Sequence, residues 1–512
     1  MKVTIFDGAE TIGGNKIYVE WGKGGVFLDF GMNFSRQKTY FEEFLNERAV
    51  RGVHDSLYLG LIPRLNIYRE DLIPSDVDLS SSPSLNVTAV LLSHAHLDHC
   101  GCVGFLSEKI PILASPMTLA ILKAMRDTGR AHLGSEICYY SQRFPLEDDS
   151  RVLKTNSSSK VPYSGRNFIC SEKPSEKLVD FLCKKPGQEA KNAKKLEAGE
   201  VCCLDEKELG FEIKAFEVDH SIYGATAFIL QGDTSLAYTG DIRLQGKNAE
   251  KTRDFVKNAK NASILIIEGT RVSKEPSESE VSEKEVYDRC LDIVRQTKGL
   301  VIADFSPRNF ERLEIFKEIA NKTSRELVVT AKDAYMLYAI EGVDGLDRMK
   351  DLKIYKELRA EREKWETEVV MERWGERYVD PQKIQKEQEN FIICFSYYDI
   401  KHLLDIKPSG GAYIYSSSEA LDEEQKLDFL RLSEWLKLFN FSTHGFRVEG
   451  GEICFERGFH ASGHVSREDV VRIVEEVDPD YLIPVHTKNA EWFTKNFENA
   501  VSIRCGESRE FR

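Results

Sequence analysis

Residues 94–99 read His-Ala-His-Leu-Asp-His, which places three imidazoles and a carboxylate within six positions. Imidazole nitrogens suit zinc and its neighbours, and Asp adds a hard oxygen. With 11 histidines in 512 residues, three at these offsets arise by chance about once in 100,000 starting positions. The spacing therefore points to metal ligation. Seven of the eleven histidines fall in four clusters: His94, His96 and His99; His220; His460 and His464; and His486. Thr239-Gly240-Asp241 supplies a further carboxylate. Two metals about 3.5–4 Å apart need roughly three protein ligands each plus bridges. His94, His96 and His220 can serve one metal, Asp98, His99 and His486 the other, and Asp241 can bridge them. Such a pair lowers the pKa of water and neutralises charge developing on a phosphate, which is hydrolase chemistry.

Ligands this far apart in sequence need a rigid frame to bring them together. The hexapeptide follows an apolar run of strand length, Val87–Leu92, and His220 follows a strand ending at Val218. Asp241 ends Leu236–Tyr238, and His486 ends Tyr481–Val485. The first 30 residues read as strands and tight turns, with Val26–Leu28 ending at Asp29. Residues 131–210 hold Ser157–Ser159, Pro162, Pro174, Pro186 and the lysines 184, 185, 191, 194 and 195. That stretch reads as a surface insertion with a helical part and a solvated lysine face.

From about 272 the pattern becomes helix and strand in alternation. Ser282 with Glu285 forms a capping-box pattern before Val286, Cys290, Ile293 and Val294 at helical spacing. Pro307 opens a helix carrying Phe310, Leu313, Phe316 and Ile319. Leu300–Ala303, Leu327–Thr330, Phe391–Phe395 and Ala412–Tyr415 read as strands of a parallel α/β block. Residues 356–378, rich in both signs of charge, read as a solvated amphipathic helix. Residues 441–512 return to strands and one helix.

The length allows two to four domains. The net charge of −14 argues against a protein that binds nucleic acid through a basic face, although bound divalent metals supply positive charge where it matters. No run of 18 apolar residues is present, so no membrane span is expected. Eleven cysteines without a CxxC pair, and an N-terminus without a signal-peptide pattern, read as a cytoplasmic protein with reduced thiols.

The motif His94-Ala-His-Leu-Asp98-His99, with His220 and Asp241, resembles the metallo-β-lactamase superfamily signature, and Asp29 resembles its first-strand aspartate. Glu268 after Ile264–Ile267, His464 in His460-Ala-Ser-Gly-His464, and His486 in Pro484-Val-His486 resemble motifs A, B and C of the β-CASP nucleases. The resemblance implies an α/β fold: a metallo-β-lactamase αββα sandwich with an inserted β-CASP parallel α/β domain. The sandwich is expected over 1–271, with the insertion at about 131–210, and again over 441–512. The β-CASP domain is expected over 272–440.

Within that family a histidine at motif C goes with RNA substrates. The run His460-Ala-Ser-Gly-His464-Val-Ser466 and the opening Thr11-Ile-Gly-Gly-Asn15 resemble the ribonuclease J branch. The chain ends 26 residues after His486 (512 − 486). It is therefore expected to lack the dimerisation domain of bacterial members, and homodimerisation is left open.

The resemblance implies a 5′→3′ exoribonuclease, with endonucleolytic cuts as a further activity. Its alternatives are an endonuclease of the polyadenylation-factor type and a DNA-repair nuclease. The expected substrate is single-stranded RNA, preferably 5′-monophosphorylated, and the expected cofactors are two zinc ions or manganese in their place. His464, Asp98 and Asp241 are the expected catalytic residues. Asp29, Glu268 and His460 are expected behind the ligands. Ser462, Gly463, Ser466, Ser306, Asn309 and Arg312 are candidates for holding substrate phosphate.

Overall fold

The apolar runs of the sequence become three main sheets in the computed structural model, which describes every residue except 23, 43, 130, 131, 274–279, 419–422 and 512. Among the described residues the first sheet has eight strands. Their order is Val201–Cys203, Phe168–Cys170, Ile112–Ala114, Val87–Leu91, Gly24–Leu28, Lys16–Trp21, Lys2–Asp7 and Glu507–Glu510. The second has five: Glu212–Glu217, Thr226–Gln231, Leu236–Tyr238, Ile264–Glu268 and Tyr481–Val485.

Strand residues alternate between two faces, and here both faces are dry. Val3, Ile5, Ile17, Val19, Val26 and Leu28 of the first sheet pack with Phe228, Leu230, Tyr238, Ile264, Ile266 and Ile483 of the second. Their neighbours point the other way. Tyr18, Phe27, Val90 and Ile112 share a core with the helix Pro116–Thr128. Ala227, Ile229, Leu265 and Ile267 share one with the helices Ala249–Asn258 and Arg467–Val477. Each fully buried aliphatic side chain contributes about 1.5–3 kcal/mol, and the result is the αββα stack.

Among the described residues the third sheet holds seven strands, all parallel: Tyr378–Val379, Leu352–Tyr355, Glu326–Val329, Phe391–Cys394, Leu300–Asp304, Gly411–Tyr415 and Phe441–His444. Parallel sheets need cover on both faces. Residues of Glu283–Gln296, Phe310–Lys322 and Ala331–Asp344 cover one. Glu423–Leu438 and the hairpin Phe446–Glu449 with Glu452–Phe455 cover the other.

The two domains share the first core, and a buried polar pair is sealed between them. Lys123 Nζ lies 2.5 Å from Asp127 Oδ2, which also accepts from Tyr335 OH at 2.8 Å.

Four expectations change. Residue 131, the expected start of the surface insertion, lies outside the described residues, and the rest of 131–210 is not a surface addition. Phe168–Cys170 and Val201–Cys203 extend the first sheet, while Leu178 and Leu182 are buried in the shared core. Three-residue strands show too little alternation to be recognised, and two of the lysines fold back over the Tyr163 ring, Lys185 at 5.2 Å and Lys194 at 4.6 Å. Phe441–His444, placed after the boundary at 440, pairs with Gly411–Tyr415 inside the third sheet. Pro307 lies in a loop, and Asn309 caps the helix that follows. Residues 356–378 are not one amphipathic helix: a π-helical stretch, Glu366–Met371, lies between Trp365 and Trp374, both buried.

Candidate metal centre

The strand tips converge as the sequence requires. Val87–Leu91 leads into the hexapeptide, Leu236–Tyr238 into Asp241, Ile264–Glu268 ends on Glu268, and Tyr481–Val485 leads into His486. Two non-glycine residues turn sharply there in the left-handed region, Asp29 with φ 59° and His486 with φ 53°. Such conformations cost about 1–3 kcal/mol each and concentrate at functional sites. Gly31 lies so close to the metal loop that a Cβ there would sit 1.7 Å from the Asp98 carbonyl oxygen.

Among the described residues the ligand atoms form four overlapping trios, two of which, without Asp241, match the expected metal sites. His94, His96 and His220 make one, and Asp98, His99 and His486 the other; within each trio the ligand atoms lie within 4.8 Å of one another. His94 Nε2 is 2.9 Å from His96 Nδ1, which is 3.3 Å from His220 Nε2. His486 Nε2 is 3.3 Å from Asp98 Oδ2. Asp241 Oδ2 reaches both trios, at 3.8 Å from His94 Nε2, 4.0 Å from His220 Nε2 and 3.1 Å from His99 Nε2.

Neighbouring groups set the histidine tautomers. Asp29 Oδ2 can only accept, so His99 Nδ1 donates to it at 2.7 Å. Ser93 Oγ gives its proton to Asp29 at 2.8 Å and therefore accepts from His94 Nδ1 at 3.0 Å. His220 Nδ1 donates to the Gly463 carbonyl at 2.5 Å. Thr270 Oγ1 donates to Glu268 Oε2 at 2.6 Å and accepts from His486 Nδ1 at 2.9 Å. Four Nε2 atoms are thus turned inward, the arrangement in which protein groups orient metal-binding histidines.

The donor set fits divalent cations. His99 Nε2 and Asp241 Oδ1 are buried without a hydrogen-bond partner among the described residues. Burial, then mutual repulsion, holds the His94 imidazole neutral, well below its ordinary pKa, and His96 follows the same direction. Burial lowers His220 to about 4. For Asp98 and Asp241 burial opposes ionisation, but the surrounding imidazoles outweigh it and hold both carboxyls below the usual range. Burial also opposes charge on His99, yet Asp241 and Asp29 prevail and raise it well above its ordinary value. A cation there must displace that proton.

Beside the trios stands His464, whose Nδ1 lies 2.9 Å from Glu268 Oε2. Burial disfavours its charged form, but the carboxylates of Glu268 and Asp241 raise its pKa to about 9. Glu268 also accepts the Ile242 N–H at 2.9 Å, so one carboxylate orients His464 directly, His486 through Thr270 and the Asp241 loop through the backbone. His460 sits half-buried four residues before His464.

The phosphate candidates are placed differently from expectation. Arg312 is fully buried and bonds Ser416, the Phe459 carbonyl and Glu283. Asn309 and Ser466 accept from Arg312 N and Asp469 N as helix caps. Ser462 Oγ accepts from His464 N, and Gly463 turns its carbonyl to His220. Ser306 is half-buried in the loop after Leu300–Asp304. Local hydrogen bonds and the buried domain junction claim all of these groups but Ser306, so Arg312 and the two caps serve the fold.

Sequence reasoning missed Ser93 and Thr270, each beside a recognised motif residue, and Tyr238, which donates to Asp29 Oδ2 at 2.6 Å. It also passed over Arg308, whose Nη1 donates to the Ala95 carbonyl inside the hexapeptide at 3.2 Å.

Comparison with known proteins agrees with this geometry. Residues 74–118, which include the hexapeptide, match the metallo-beta-lactamase superfamily. Ribonuclease J of Pyrococcus abyssi is 22% identical over 95% of this chain and 89% of its own length. Ribonuclease J of Mycoplasma genitalium is 21% identical over 98% of this chain and 71% of its own. The chain is similar to ribonuclease J along nearly its whole length, and its hexapeptide segment matches the metallo-beta-lactamase superfamily. The fold recurs in the crystal structure of a protein of unknown function from Enterococcus faecalis V583, with TM-score 0.67 and 21% identity over 99% of both chains. No described helix of this ribonuclease J-like chain is long and apolar enough to cross a membrane.

Proposed function

We propose that this chain is a metal-dependent ribonuclease. It hydrolyses RNA phosphodiesters to 5′-phosphate and 3′-hydroxyl ends, working 5′→3′ from a 5′-monophosphate in the cytoplasm. The observation that carries the reading is the pair of ligand trios meeting at Asp241 Oδ2, with His464 beside them. The likeness to ribonuclease J along nearly the whole chain supports RNA as the substrate. The run from His460 to Ser466 supports the polarity, through its resemblance to that branch.

His94, His96 and His220 would hold one cation, Asp98, His99 and His486 a second, and Asp241 both; zinc is proposed, with manganese in its place. Bound there, the metals supply an activated water and neutralise charge on the scissile phosphate. The chain's own residues do the rest. Asp29, Ser93, Thr270 and the Gly463 carbonyl keep the imidazoles turned to the centre. His464, held protonated by Glu268 and 23% exposed, gives its Nε2 proton to the departing 3′ oxygen. General acids of this kind contribute about 100- to 10,000-fold.

The test is a matched set of 3′-end-labelled RNAs carrying 5′-monophosphate, 5′-triphosphate or 5′-hydroxyl, with a DNA of the same sequence. The expected result is processive shortening of the monophosphate RNA from its 5′ end. Shortening from the 3′ end, internal cuts alone, or a preference for DNA would overturn it.

A further inference from the structure

We infer that Arg308 forms a phosphate-binding subsite between the inserted domain and the metal loop, where it clamps a phosphate of the substrate chain beside the scissile one. The inference rests on the ribonuclease reading and names a residue for it.

The position follows from the fold. Arg308 lies in the loop after Leu300–Asp304, at the carboxyl end of a central strand of the all-parallel sheet. In open α/β sheets ligands bind in the crevice outside the carboxyl ends of the strands. From that edge the side chain crosses to the other domain. Its Nη1 donates to the Ala95 carbonyl at 3.2 Å and touches Met125 Sδ at 3.7 Å. Ala95 stands between the ligands His94 and His96, so the guanidinium stands over the metal loop, and its charge acts on His96 and Asp98.

The chemistry follows from its partners. Among the described residues Arg308 makes no ion pair, whereas Arg243 is paired with the buried carboxylates of Asp219 and Glu311 and Arg312 with the half-buried Glu283. The two bonded contacts engage one of its nitrogens. A guanidinium has five N–H donors in a planar fork suited to phosphate oxygens. Its neighbours Asn309 and Arg312 are committed to the helix cap and the domain junction. Arg308 is therefore the cation of the Phe305–Arg312 run that faces the metal loop. In a chain of net charge −14, a half-buried guanidinium beside a cation-binding loop suits an anion that touches both.

The test is binding by the full-length protein of a 3′-fluorescein-labelled, 5′-phosphorylated ten-nucleotide RNA. It is followed by anisotropy in EDTA, where no cleavage occurs, across a salt series. Arg308→Ala should weaken binding about tenfold and reduce the slope of log K against log salt by about 0.7, the loss of one phosphate contact on a single strand. Arg308→Lys should restore the slope and part of the affinity, with zinc content and melting temperature unchanged in both variants. Equal affinity and slope for wild type and Arg308→Ala would overturn the subsite, as would zinc loss in both variants, since the arginine would then be a strut for the loop. Wild-type protein that binds the oligonucleotide with these effects but leaves it intact with zinc would defeat the ribonuclease reading and leave the subsite standing.

Discussion

His464 Nδ1 sits 2.9 Å from Glu268 Oε2, and that one carboxylate also receives Thr270 Oγ1 and the Ile242 N–H. The proposed acid, a proposed ligand and the loop of the proposed bridge are all referred to a single buried group. Glu268→Gln keeps the shape and removes the charge. Glu268 favours the protonated form of His464, so its neutralisation lowers that pKa. An acid works only while protonated, so the alkaline limb of the rate profile should move down by about one unit or more. A pH–rate series on both proteins checks this, and an unmoved limb would show that His464 is not the acid.

His464→Ala should lower RNA cleavage by about 100-fold or more while zinc content stays at the wild-type level, because His464 belongs to neither trio. Cleavage rate and metal content measured on one preparation separate the roles. Loss of zinc along with activity would make His464 a ligand.

Asp29→Asn keeps the volume but removes the charged acceptor that fixes His99 and Ser93. Loss of such a supporting partner typically weakens metal binding about 10- to 100-fold. Competition with a zinc-chelating dye measures it, and wild-type affinity would show that the Asp29–His99 contact does not orient the ligand.

Much of this centre is legible from sequence because short-range chemistry fixes it. The His94–His99 spacing, the strand-length runs before Asp241 and His486, and the Glu268 that ends its strand all declare themselves locally. What is hidden is decided by distant partners. Arg312 and Arg308 lie four residues apart with the same charge, yet one is drawn into a buried pocket by Glu283 and Ser416 and the other crosses to Ala95. Phe168–Cys170 and Val201–Cys203 are too short for alternation to mark them; the first pairs with Ile112–Ala114 across more than 50 residues, and the second joins the sheet by pairing with the first. Phe441–His444 joins the third sheet by register with Gly411–Tyr415, which composition alone cannot reveal.

Asp304, which ends a strand of that sheet, gives a stability prediction. Burial pushes its carboxyl up to about 7, while Tyr413, which donates to it, works the other way. The folded state thus holds a proton that the unfolded chain, with a pKa of about 3.9, gives up. Stability should fall as pH rises from about 4 to 7 and then level off, at a cost of up to about 4 kcal/mol for this group. Asp304→Asn should flatten that slope and melt higher than wild type at pH 8. Parallel melting curves at pH 5 and pH 8 measure it, and an unchanged slope would contradict the assignment.

The central claim is that two cations share Asp241 between the trios. Diffraction from zinc-loaded crystals at the zinc absorption edge tests it most directly. The account predicts two anomalous peaks, one among His94, His96 and His220 and one among Asp98, His99 and His486, both adjoining the Asp241 carboxylate. A single peak in fully loaded crystals, or peaks away from Asp241, would contradict it.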